Sequence, residues 1–223
     1  MSKFCFIFLA LGVFLSSSML SPACALNLEH AKEIYGPCAG CHGEFGAGGK
    51  KGEYPRIAGQ RPKFLVEQMK LFQKRVRVNI PMTPYTEPRE LSDADMEEIA
   101  AWLAQIELPT QWPVFKDSDD AFTRLLAMEK VMIVPRAEGD IEHGLQVYDK
   151  DCAICHGKTA NGIGEIPMLV GQYSNYLKKQ IEAYLGHERA HDEDDLKEGV
   201  LHSLSAKDIQ DVLAYLTSIQ VRK

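Results

Sequence analysis

The sequence CAGCH at residues 38–42 returns as CAICH at residues 152–156, and a glycine follows each copy. In C-x-x-C-H, two thiols can form thioethers with the vinyl groups of one haem while the adjacent imidazole binds its iron. A zinc site would need both cysteine pairs to converge on one ion, and a redox dithiol would not need the histidine. The pattern therefore predicts two covalent haems c, attached and ligated through Cys38, Cys41, His42, Cys152, Cys155 and His156.

The first 25 residues have the three regions of a secretory signal. Lys3 precedes an apolar run from Phe4 to Leu15, and an A-x-A site ends at Ala25. The run is shorter than the ~20 apolar residues that a membrane span needs. Acylation of Cys24, as in a lipoprotein, is disfavoured because Ser21 stands where the lipoprotein signal has leucine. We expect cleavage after Ala25, a periplasmic protein and no transmembrane segment in the mature chain.

An internal repeat becomes visible when His42 is superimposed on His156. The matching segments are Glu29-His30 with Glu142-His143, Pro55-x-x-x-Gly59-Gln60 with Pro167-x-x-x-Gly171-Gln172, and Leu91-Ser92 with Leu204-Ser205. The chain therefore contains two copies of one domain, which we place at residues 26–112 and 139–223. Residues 113–138 form a linker that is too long for a simple tether, and we expect it to lie across both domains with some helix over 121–130.

Each copy is predicted to form three helices, so the fold class is all-α. The last helix begins at a serine cap, Ser92 or Ser205. Its apolar residues recur at the i, i+3, i+4, i+7 spacing of a helix with one buried face; they are Met96, Ile99, Ala100 and Leu103 in one copy and Ile209, Val212, Leu213 and Leu216 in the other. Only a few residues near 131–134 resemble a strand.

These motifs together resemble the dihaem class I cytochromes c of the cytochrome c4 type. The resemblance implies two tandem class I cytochrome c domains, each a few helices around one covalent haem, and a periplasmic role in electron transfer. It also implies that the carbonyls of Pro55 and Pro167 orient the proximal imidazoles, and that a distal methionine lies between the second and last helices of each domain.

In copy one, Met82 occupies that loop, between Pro81 and Thr83-Pro84. A thioether held by a proline-restricted backbone is a suitable soft ligand for haem iron. The nearby Met69 falls on the apolar stripe of the preceding helix instead. We therefore expect His42 and Met82 to be the axial ligands of the first haem.

Copy two departs from this pattern, because Asp195 stands at the position equivalent to Met82 and no methionine follows Met168. Three histidines lie in or beside the loop. His191 is nearest to the vacant position and is the leading candidate for the sixth ligand, with His187 and His202 as alternatives. A five-coordinate or water-bound iron is the remaining possibility, in which all three histidines are solvated.

Three classes of function are compatible with these residues. An electron-transfer protein is favoured, because no acid, base or nucleophile constellation accompanies the two attachment motifs. A haem enzyme, resembling a thiosulfate dehydrogenase or a peroxidase, or a ligand-binding haem protein would need an open second haem. The net charge of −6 argues against a nucleic-acid partner. We expect redox proteins of the periplasm as partners, including a membrane-bound oxidase or reductase.

Overall fold

The computed structural model describes residues 27–189 and 195–220. The predicted signal sequence and His191 lie outside these ranges. Within them the regular structure is helical, and the β pairing consists of an isolated bridge between Gly49 and Tyr54. The all-α fold class is thereby confirmed.

The first domain contains the three predicted helices, α1 (Leu28–His42), α2 (Pro62–Gln73) and α3 (Asp93–Ala104). Helix α3 begins at a capping box in which Ser92 and Asp95 bond each other's backbone. α3 packs against both α1 and α2. The buried apolar residues that join the three helices are Tyr35, Leu65, Leu91, Met96, Ile99, Ala100 and Leu103.

The linker contains α4 (Ala121–Glu129), which has no buried residue. After it, residues 131–138 have no regular secondary structure, so the few strand-like residues near 131–134 are not paired as a strand. Met132 and Val134 are buried against Ala58 and Leu108 of the first domain. The backbone of Val134 also exchanges two hydrogen bonds with the Gln220 side chain of the second domain, so this part of the linker does contact both domains.

The second domain repeats this arrangement with two differences. Its first helix is divided at Cys152 into α5 (Ile141–Asp151) and α6 (Ala153–His156). Helix α7 (Ser174–Leu185) and helix α9 (Ala206–Ser218) correspond to α2 and α3. Between them lies an additional helix, α8 (Asp195–Ser203), where the sequence pattern predicted only a loop.

Candidate haem-binding sites

The histidines of the two C-x-x-C-H motifs have the same surroundings. His42 Nδ1 lies 2.9 Å from the carbonyl oxygen of Pro55, and His156 Nδ1 lies 2.9 Å from that of Pro167. A carbonyl only accepts hydrogen bonds, so Nδ1 carries the proton in each ring, and Nε2 is the nitrogen that carries the lone pair. Burial lowers the pKa of His42, which keeps the imidazole neutral. The role that the resemblance implied for both prolines is present in the structure.

The four cysteines of the motifs are free thiols and partly buried. Cys38 and Cys41 are three residues apart on α1, so they lie on one face of the helix beside His42. Burial raises the pKa of Cys38, and burial together with the neighbouring Asp151 raises the pKa of Cys152 to about 11. Two free thiols beside an imidazole that is protonated at Nδ1 fit covalent attachment of a haem at both places.

The glycine after each motif has a structural reason. Gly43 and Gly157 have φ angles of 77° and 78°, which residues with a Cβ rarely adopt. Their carbonyl oxygens accept hydrogen bonds of 2.7 Å from the hydroxyls of Tyr35 and Tyr148. Both tyrosines are buried, so each one ties the turn behind its motif to the core of its domain.

In the first domain, the expected distal ligand Met82 is partly buried just before a short 3₁₀ turn, Thr83–Thr86. The buried Thr86 hydroxyl donates to the Met82 carbonyl over 3.3 Å and holds this loop. Met69, the alternative, packs against the apolar cluster of the domain. The structure thus places Met82 in a separate loop and Met69 against the apolar core.

The corresponding region of the second domain is built differently. Helix α8 begins at Asp195, the position equivalent to Met82. His187 and His202 are both exposed, and their rings stack on each other with centroids 5.3 Å apart. Met168 is buried at the domain interface, as a packing residue would be.

The repeated histidines outside the motifs bind carboxylates. His30 Nδ1 lies 2.7 Å from Glu98, and His143 Nδ1 lies 2.7 Å from Asp211. Each pair joins the first helix of a domain to its last helix. Asp211 is 2 % exposed at its side chain and also accepts from the backbone of Asp140. These histidines therefore have a structural role.

The sequence has a basic cluster near the Met82 loop that could steer an acidic partner, namely Lys70, Lys74, Arg75 and Arg77, and three of its members have partners within the protein. Lys70 pairs with Asp93, and Arg75 pairs with Glu87. Arg77 donates to the side chains of Gln68, Tyr176 and Gln180, the last two of which belong to the second domain. Arg77 is consequently part of the domain interface.

Sequence reasoning missed a buried contact between the domains. The side chain of Gln60 bonds the backbone of Met168, and that of Gln172 bonds the backbone of Arg56. Both glutamines end the repeated Pro-x-x-x-Gly-Gln motif. The Pro-x-x-x-Gly-Gln motif occurs in both copies and lies outside the helices. That repetition was the signal from which a shared role of the two glutamines could have been inferred.

The cytochrome c family model matches residues 28–107 and 141–220, one match for each domain. The chain therefore belongs to the cytochrome c family, and with its two free cysteine pairs it is a dihaem cytochrome with two covalent haems c. Among the described residues, no helix is both long and apolar enough to cross a bilayer.

Within that family the protein is of the cytochrome c4 type. Cytochrome c4 from Thiocapsa roseopersicina is 30% identical over 190 residues, which cover 82% of this chain and 88% of that protein. A thiosulfate dehydrogenase electron acceptor from Thiomonas intermedia (strain K12) is 31% identical over 76% of this chain and 70% of its own. The crystal structure of reduced recombinant cytochrome c4 from Pseudomonas stutzeri has the same fold, with a TM-score of 0.65 and 23% identity over 86% of this chain and 98% of that one.

Proposed function

We propose that this protein is a periplasmic electron-transfer protein with two unequal redox centres. Its first iron would be ligated by His42 and Met82, and its second by His156 with a sixth ligand other than methionine. Haem, when bound, supplies a one-electron iron centre to each domain. One observation carries the proposal: the two motif histidines have the same hydrogen-bond partner, whereas Met82 of the first domain has Asp195 as its counterpart in the second.

The difference in distal ligand sets the direction of transfer. Thioether ligation favours ferrous iron and raises the reduction potential, whereas a second imidazole or water favours ferric iron in comparison. We therefore expect the first domain to have the higher potential and electrons to pass from the second domain to the first. Two haems with indistinguishable midpoint potentials in a redox titration would contradict this asymmetry.

The axial ligands can be assigned from spectra of the ferric protein. We expect the near-infrared methionine-to-iron band, with the intensity of one haem, and its loss in Met82→Ala. Met69→Ala is the matched control and should keep the band. For the second haem, we propose His191, and His191→Ala should then convert half of the haem to a high-spin form. His187→Ala and His202→Ala test the two alternatives in the same way.

A thiosulfate-oxidising haem enzyme is our proposed electron donor, because two of the relatives are described as thiosulfate dehydrogenase electron acceptors. The chain also resembles part of a thiosulfate dehydrogenase TsdBA from Marichromatium purpuratum, with a TM-score of 0.59 over 40% of that protein. The test mixes the oxidised dihaem protein with catalytic amounts of such an enzyme and thiosulfate. Reduction of the cytochrome that requires both components supports the proposal, and its absence would reject this donor.

Ligand binding is the second candidate, because the second domain lacks an equivalent of Met82. Rapid binding of carbon monoxide to half of the reduced haem would favour this function over electron transfer alone. Slow or absent binding would show that a protein ligand occupies the sixth position.

A further inference from the structure

Two glutamines cross the domain interface in opposite directions. The Gln172 carboxamide accepts from the Arg56 N–H over 3.0 Å and donates to the Arg56 carbonyl over 2.8 Å. The Gln60 carboxamide accepts from the Met168 N–H over 2.7 Å and donates to the Met168 carbonyl over 3.0 Å. Both glutamines are 4 % exposed, so water does not compete for these bonds. We call these four hydrogen bonds the glutamine clasp.

Each half of the clasp meets the peptide group that holds a proximal histidine. The carbonyl of Pro55 and the N–H of Arg56 belong to one peptide group. That carbonyl accepts from His42, and that N–H donates to Gln172. The peptide group between Pro167 and Met168 is bonded in the same way by His156 and, from the first domain, by Gln60.

Hydrogen bonds in series strengthen one another, because a peptide N–H that donates to an acceptor polarises the carbonyl of the same group. The Pro55 carbonyl therefore becomes a stronger acceptor when Gln172 is in place. A stronger bond at Nδ1–H makes the imidazole a better electron donor at Nε2. The iron ligated there is then stabilised in its ferric state.

We propose that Gln172 is a positioning residue for His42 and that Gln60 is a positioning residue for His156. Each domain thus adjusts the proximal ligand of the other and holds the reduction potential of the other haem down. The inference rests on the proximal roles of His42 and His156 proposed above. On this inference the domain interface affects both reduction potentials, because separating the domains would break the glutamine hydrogen bonds behind His42 and His156 together.

The test uses Gln172→Met and Gln60→Met in the full haem-loaded protein. The readouts are the midpoint potential of each haem and the hyperfine-shifted NMR resonances of each proximal imidazole. We expect Gln172→Met to favour reduction of the first haem by about 1.5- to fourfold in its equilibrium constant and to leave the second unchanged. Gln60→Met should show the reverse pattern.

The control is Lys63→Met, which removes the exposed interdomain ion pair with Glu165 and leaves the clasp untouched. Its potentials should equal those of the wild type. If the methionine variants do not accumulate, Gln172→Asn and Gln60→Asn shorten the side chain while keeping it polar, and should shift the same haems.

A shift in the glutamine's own domain, equal shifts in both haems, or no shift would overturn the inference. Failure of the proposed function is distinguishable, because it would be seen in the wild type as two equal potentials or a missing methionine-to-iron band.

Discussion

Gly144 lies where α5 meets α9, and the two backbones are in direct contact there. A Cβ at Gly144 would stand 2.0 Å from the carbonyl oxygen of Asp211 and 2.4 Å from its carbonyl carbon. Ordinary contacts of a Cβ begin at 3.4 Å, so the helices would have to separate by more than 1 Å. The atoms that obstruct the Cβ are backbone and cannot rotate away.

Gly144→Ala should therefore destabilise the second domain, although alanine is the better helix former. Overpacking costs about 1–3 kcal/mol, and backbone obstruction favours the upper end of this range. The gain in helix propensity is about 1 kcal/mol. The net loss of about 2 kcal/mol corresponds to a melting temperature about 4–8 °C lower for a chain of this size.

The assay is thermal unfolding of the haem-loaded protein, followed by far-ultraviolet circular dichroism. Gly36→Ala is the matched control, because a Cβ there would meet nothing within 4 Å. That variant should gain about 0.5–1 kcal/mol from the removed glycine. If Gly144→Ala were as stable as Gly36→Ala, the reasoning about the helix contact would be refuted.

Three further predictions concern stability at low pH, the turn after the second C-x-x-C-H motif, and the loop that contains Met82. The hydrogen bond from Lys207 holds the pKa of Asp211 well below its usual range. This carboxylate therefore stabilises the fold above about pH 4, and its contribution is lost as the pH falls through its folded pKa. Asp211→Asn should make stability fall less steeply at acid pH, and an unchanged dependence on pH would contradict this. Tyr148→Phe removes the bond to the Gly157 carbonyl and should lower the free energy of unfolding by about 0.5–1.5 kcal/mol in denaturant titrations, whereas no loss would show the bond to be dispensable. Met82→Ala should lower the potential of the first haem in a spectroelectrochemical titration, and a potential equal to that of the wild type would exclude Met82 as a ligand.

The amino-acid sequence by itself determined the features that depend on local spacing. The C-x-x-C-H strings specify thiols and imidazole within one turn, so the two haems c and the duplicated domain follow from the sequence. The helical period likewise determined the helices α1–α3, α5, α7 and α9, and the serine caps determined where α3 and α9 begin, because a buried stripe and a cap are both local properties.

Tertiary structure alone decided the features that join distant residues. Helix α8 was not predicted, because the resemblance placed a loop over residues 195–203. The sequence also did not predict the carboxylate partners of His30 and His143, or the glutamine clasp formed by Gln60 and Gln172. Those pairs lie 68 and 108 or more residues apart in the chain. Such contacts depend on how helices cross and domains dock, and that geometry leaves no periodic trace in the sequence.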